Sequence, residues 1–320
     1  MVAAVVGAAV GVAPTSLSAQ GFPTRPITLV VPFAAGGPTD VLGRIVSRRM
    51  ASHLGQPVVV ENVGGAGGAI GAQRVQRAAP DGYTLVLGNI GTHTAVPALA
   101  QPAPYDPETD FQPVGLIATN PLVLVVRPGL ATDVAGLVRY LKTPGTRATY
   151  ASAGVGASSH LGGLLFLTQT GTMADHIPYR GTAPALADVA AGRVDFLFDQ
   201  TVNVIGQVAG GTVTALGVST RTRAAVLPDV PSLMEAGVPG FDTAVWNALF
   251  APRGTPTAVV ERLAEALSHA LEDPAVRDRL VELGGELPTP TARGPAALAA
   301  LVAAEVVRWT PILRAAASGG

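Results

Sequence analysis

Apolar and polar positions along this chain follow two alternating periods, which predict strands that each feed a helix. Residues 26–33, PITLVVPF, form an apolar, β-branched run. In 39–55, TDVLGRIVSRRMASHLG, Val41, Ile45, Val46, Met50 and Leu54 recur near helical spacing, with Arg44, Arg48 and Arg49 largely elsewhere. The unit repeats as a strand at 57–62 (PVVVEN), a Gly-rich loop at 63–71, a helical stretch that stops at Pro80 and a third strand at 83–89. After a Pro-rich stretch at 103–114, a strand at 121–128 opens a second series. Its helices at 132–142, 158–170, 182–191 and 202–210 alternate with strands at 148–154, 175–179, 194–200 and 213–220. Such alternation implies parallel sheets with right-handed crossovers. The remainder, helical near 256–272, 274–283 and 294–315, adds no parallel series and is expected to return to the first half.

The expected fold is therefore α/β, with two doubly wound, mainly parallel sheets in two lobes. Residues 22–125 plus 243–320 make lobe 1, and 126–242, including the return crossing, make lobe 2. Chain crossings near 125 and 225–243 form a hinged cleft. Open α/β sheets place ligand sites at the carboxyl ends of strands, where helix N-termini direct free amides.

Composition narrows the function. The chain of 320 residues has room for two domains, and Lys+Arg 21 against Asp+Glu 22 gives a net charge of -1, which supplies no field for nucleic acid. With no cysteine, disulfides, thiolate nucleophiles and Cys-ligated zinc are excluded. Lys142 is the only lysine and no phosphate-binding GKS or GKT surrounds it. Residues 1–21 are apolar, uncharged and end in small residues, as in a secretory signal peptide, although the usual basic start is missing and Arg25 is the first basic residue. No later segment reads as long and apolar enough to span a bilayer.

Two strand-to-helix loops carry candidate chemistry. In PFAAGGPTD, Phe33, Ala34, Ala35, Gly36 and Gly37 precede a helix that Thr39 or Asp40 can cap, leaving first-turn amides for a carboxylate or phosphate. YASAGVGASSHLGG repeats the design with Ser152, Gly154, Gly156, Ser158 and Ser159. Either loop alone also reads as a Gly turn that merely fits. The loop VGGAGGAIGA at 63–72 departs from the dinucleotide register and reads as a tight connection. Bulky substitutions at Gly36 or Gly37 are thus expected to abolish binding, and those at Gly65 or Gly67 mainly to destabilise.

Other residues leave alternatives open. Arg180 pairs with an anionic ligand or is a solvated loop arginine, and Asp199 faces the cleft or caps the helix beginning near Thr201. Trp246 and Phe250 read as core or hinge packing. A serine hydrolase would use Ser158 or Ser159 with His160, but adjacent helical residues point about 100° apart, which suits a nucleophile and base poorly. His53, His93, His160, His176 and His269 show no metal-site spacing, so neither metal nor cofactor is expected.

In the order FPTRPITLVVPFAAGGPTDVLGRIV, LGQPVVVENVGGAGGAIGAQRVQRAAPDGYTLVLGN, YASAGVGASSHLGG, IPYRGTAPALADVAAGRVDFLFDQ and TALGVSTRTRAAVLPDVPSLMEAGVPGFDTAVWNALFAPRGTP, the chain resembles the Bug family. These are the periplasmic substrate-binding proteins of tripartite tricarboxylate transporters. The resemblance implies a two-lobed, type II periplasmic-binding fold, non-catalytic and monomeric. Such a protein closes on a small carboxylate solute and delivers it to the transporter's membrane permease subunits, or presents it to a sensor kinase. It carries ligand contacts onto Phe33 to Gly37 with Asp40, onto Ser152, Gly154, Gly156, Ser158 and Ser159, and onto Asp199. The third-strand loop from Gly88 to Thr94 is a further contributor, with Thr92 or His93 selecting the ligand.

Overall fold

The structure, a computed structural model, describes residues 21–318. The expected signal peptide, apart from Gly21, lies outside the described residues. The first half alternates β1 (Ile27–Val31), α1 (Pro38–Leu54), β2 (Val58–Asn62), α2 (Ala69–Gln76) and β3 (Thr84–Asn89), followed by a π turn at Gly91–Ala95 and the short α3 (Val96–Leu99). β4 (Phe111–Val126) leads to the second half: α4 (Val134–Lys142), β5 (Thr149–Ser152), α5 (Ser158–Thr170), β6 (Asp175–Pro178), α6 (Thr182–Ala190), β7 (Phe196–Gln200), α7 (Thr201–Ala209) and β8 (Thr214–Val218). The chain returns through β9 (Ala244–Pro252) and ends in α8 (Thr257–Glu272), α9 (Pro274–Glu282) and α10 (Pro295–Ser318).

The strands run in the order β2-β1-β3-β9-β4-β7-β5-β6, with β8 also on β4. The expected parallel pairing holds within β1, β2 and β3 and within β5, β6 and β7. β4 and β9 pair antiparallel to one another and to their neighbours, because one leaves the first half and the other re-enters it. β4 begins at Phe111, ten residues before the sequence-based strand, since Pro113 sits at a register shift in its pairing with β9. A Pro within a strand run argues against a central strand unless such an irregularity accommodates it.

Periodicity explains the packing of the helices. On α1, Leu42, Val46, Met50 and Leu54 are buried four residues apart, and α8 buries Val259, Leu263, Ala266, Leu267, Ala270 and Leu271 in the same core. α1 stops where Gly55 takes φ 71 and returns its N–H to the Ala51 carbonyl, the left-handed cap that glycine favours. α10 departs from expectation: by length and composition it is apolar enough to cross a membrane. Leu298, Val302, Trp309 and Leu313 nevertheless join it to the large core that spans both halves.

Candidate ligand-binding site

Both halves contribute to one small cavity, lined by Phe33, Gly37, Pro38, Thr39 and Asn89 from the first and by Ala153, Ser158, Thr182, Asp199 and Gln200 from the second. Its volume of about 20 Å³ has room for roughly one water, so the halves are closed on each other. The Ala34 N–H donates to the Arg180 carbonyl across the join at 3.0 Å.

Four helices begin at this cavity. Pro38 and Thr39 open α1, Ser158 opens α5, Thr182 opens α6, and Gln200 is the N-cap of α7. First-turn amides have no intrahelical acceptor, and each helix N-terminus carries a partial positive charge. No lysine or arginine lines the cavity. Hydroxyls of Thr39, Ser158 and Thr182 and side-chain amides of Asn89 and Gln200 complete a neutral, donor-rich wall. The Thr182 hydroxyl is buried and lies against the Asp199 carboxyl, which it helps to hold ionised.

The first loop is held from behind. Asp40 sits in the first turn of α1 rather than capping it. It accepts from the Gly36 N–H at 2.9 Å, from Arg44 Nε at 3.0 Å and from Asn62 Nδ2 at 3.0 Å. Burial pushes its carboxyl up, but these hydrogen bonds outweigh burial and hold it below the ordinary carboxylate range. Asp40 is thus occupied in positioning the loop. The second loop is braced similarly: Ser159 Oγ accepts from the Ala153 N–H at 2.9 Å, and Ser152 Oγ accepts from the Gly154 N–H at 3.0 Å and pairs with His176 Nε2 at 2.6 Å. His160 Nδ1 accepts from the Gly156 N–H at 3.3 Å, so this nitrogen, like the Ser159 hydroxyl, is engaged in bracing the loop.

Asp199, one residue before the end of β7, lines the cavity and is buried. Its Oδ1 accepts from the Gln200 N–H at 2.8 Å and its Oδ2 from Asn203 Nδ2. Burial raises its carboxyl to about 7, against the opposing pull of those bonds. It faces the cavity and does not cap α7, whose N-cap is Gln200; it holds the Asn203 side chain in that helix's first turn instead.

Of the sequence-derived candidates, Phe33, Gly37, Ser158 and Asp199 line the cavity. Ala34, Ala35, Gly36, Asp40, Ser152, Gly154, Gly156 and Ser159 shape the two loops behind it. The Arg180 side chain is exposed outside the lining. Gly88, Thr92 and His93 pack away from it: the His93 ring stacks on Phe250 at 3.8 Å, its Nδ1 bonds Thr92 Oγ1 at 2.9 Å, and burial lowers it to about 3. A Cβ at Gly88 would lie 2.3 Å from that ring. Gly88→Ala is expected to cost roughly 1–3 kcal/mol by overpacking. Its melting temperature falls while carboxylate affinity, measured by calorimetry, stays at the parent value.

Pro38, Asn89, Ala153, Thr182 and Gln200 were not singled out by the sequence reading, and Thr39 only as a helix cap, although Asn89 and Gln200 end strands and Thr182 begins a helix, the positions where such sites form. Gly67 was missed more seriously. Its φ of 65 brings the 63–72 loop against the second half, where a Cβ would lie 2.0 Å from the Val155 carbonyl oxygen. The loop is therefore a contact between halves as well as a connection.

Three solved structures match this architecture over nearly the whole chain. The periplasmic binding protein BugD is 40% identical, with a TM-score of 0.89 over 92% of this chain and 99% of that one. MatC from Rhodopseudomonas palustris, with bound malate, is 42% identical with a TM-score of 0.89, covering 91% and 100%. A further R. palustris protein with adipate is 37% identical with a TM-score of 0.87, covering 92% and 98%. The fold is thus the two-lobed, type II-like one of periplasmic binding proteins. Residues 42–317 match the family described as tripartite tricarboxylate transporter family receptor, and the chain belongs to that family of solute-binding proteins.

Proposed function

We propose that the chain captures a small carboxylate solute between its halves in the periplasm and delivers it to the membrane subunits of a tripartite tricarboxylate transporter. The observation that carries this reading is the convergence of four helix N-termini on a cavity with no basic side chain. A carboxylate there is neutralised by amides and hydroxyls, each helix end contributing about 0.3–1 kcal/mol, up to roughly 2 where partly buried. Because α1 belongs to one half and α5, α6 and α7 to the other, the anion rewards closure. The closed form is the one a membrane partner would recognise. Malate and adipate in similar proteins support a dicarboxylate. The apolar start of the chain supports export. The role is binding without turnover.

A thermal-shift panel of malate, adipate, citrate, an aromatic acid and a neutral sugar tests this. A ligand at a hundred times its Kd adds about 2.7 kcal/mol, a shift of several degrees. Stabilisation by at least one carboxylate is expected; stabilisation by the sugar alone would discard the reading.

A further inference from the structure

On the face of the first half away from the cleft, the C-terminal turn of α1 meets the last turns of α8. His53 comes from α1, and Glu265 and His269 lie four residues apart on α8, where they are neighbours on one helix face. One ligand atom from each of the three lies within 4.8 Å of the others. The imidazoles of His53 and His269 are stacked with centroids 4.1 Å apart.

Two of these groups already converge on a cation. Arg262 Nη1 donates to His53 Nε2 at 3.0 Å and to Glu265 Oε2 at 2.9 Å. A guanidinium only donates, so the His53 Nε2 lone pair points into this space and the ring proton sits on Nδ1.

We infer that His53, Glu265 and His269 form a binding site for a divalent transition metal such as zinc, with Arg262 as the resident cation that the metal displaces. Two imidazoles and a carboxylate are the donor set of an open zinc site, with bonds of about 2.0–2.2 Å and a fourth position for water. Glu265 and Arg262 have side chains 54% and 37% exposed, so the carboxylate can rotate inward and the guanidinium outward without disturbing the core. The bound ion would clamp the end of α1 to α8. Sequence spacing did not reveal the site because one ligand lies more than two hundred residues from the other two, a separation that only the packing of α1 on α8 closes.

Calorimetric titration of untagged, EDTA-treated protein with zinc chloride tests the inference. One saturable equivalent is expected in the parent, and its heat is expected to be lost in both His53→Gln and His269→Gln. Arg262→Gln is expected to bind at least as tightly as the parent, because the competing cation is gone. Equal melting temperatures in EDTA confirm that the variants fold. Co²⁺ in place of zinc should give the visible absorption of a four-coordinate site in the parent and not in His269→Gln. No saturable binding in the parent, binding that survives both histidine substitutions, or weakened binding in Arg262→Gln would each overturn the site.

Discussion

Gly67→Ala is expected to weaken carboxylate binding at least about a hundredfold while melting within a few degrees of the parent. The added Cβ would stand 2.0 Å from the Val155 carbonyl oxygen and 3.2 Å from the Ala157 amide nitrogen, both on backbone of the opposite half. Rigid backbone on both sides leaves separation of the halves as the relief. Apparent affinity scales with the fraction of molecules able to close, so a hundredfold loss requires only about 2.7 kcal/mol against closure. The substitution touches none of the large buried clusters, and the stability cost is the left-handed φ of 65, roughly 1–2 kcal/mol for a residue with a Cβ. Gly36→Ala is the matched control. Its φ is 80, but a Cβ there meets nothing closer than 3.9 Å, so it carries the same kind of backbone strain without the clash. Calorimetry with the carboxylate that the panel identifies reads affinity, and small-angle scattering reads the separation. Equal affinity losses in the two variants would show that strain within a loop, and not the join between halves, is responsible.

Asp199→Asn is expected to raise the melting temperature of ligand-free protein at pH 8 by several degrees, and the gain should shrink steadily below pH 7 and disappear near pH 4. The folded carboxyl titrates at about 7 against an ordinary value of 3.8, so the folded state binds a proton that the unfolded chain has already released. Stability from this group is fully present below about pH 4 and is lost as pH rises to about 7. Three units at about 1.4 kcal/mol each come to roughly 4 kcal/mol. Asparagine mimics the protonated form, provided that Asn203 turns its amide to offer a carbonyl. Buried His93, at about 3, and His160, at about 4, act in the opposite sense, destabilising the fold as pH falls below 6.5. They are present in both proteins and cancel in the difference between the two pH curves. Carboxylate affinity is expected to follow: it falls in the parent between pH 6 and 8, where ligand and Asp199 are both charged, and stays level in the variant. A melting difference independent of pH would mean that Asp199 is ionised throughout.

Strand and helix positions were legible because their periods are local. Val46, Met50 and Leu54, read from helical spacing, are buried on the folded α1, where Leu42 completes the stripe and Val41 and Ile45 are only partly buried. The antiparallel course of β4 and β9 was not legible, because which strands become neighbours depends on contacts between residues as distant as Phe111 and Pro252. At the cavity, Gly37, Ser158 and Asp199 were readable from the rule that strand ends and helix starts build such sites. Thr182 and Asn89 obey the same rule but lack a conspicuous neighbouring glycine cluster to mark them. His93 misled because a histidine in a strand-end loop carries the same letters whether it meets a ligand or stacks on Phe250. Gly67 misled for the complementary reason: its partner, Val155, lies in the other half of the chain.

The two crossings, β4 and β9, are hydrogen-bonded to one another from Phe111 to Pro121, and β4 then continues without a break to Val126 in the second sheet. Register shifts interrupt this ribbon between Pro113 and Gly115 and between Leu116 and Ala118, and the pairing of β4 with β8 between Leu124 and Val125. At its midpoint, buried Asn247 donates to Asn120 at 3.4 Å and to Gln200 at 3.0 Å. Such a connection behaves as a flexure rather than a pivot. Its two strands bend together, its irregular pairings set where curvature is easiest, and its ladder resists twisting and sliding. The halves are thereby restricted to one path of approach, which keeps the four helix ends in register each time they come together.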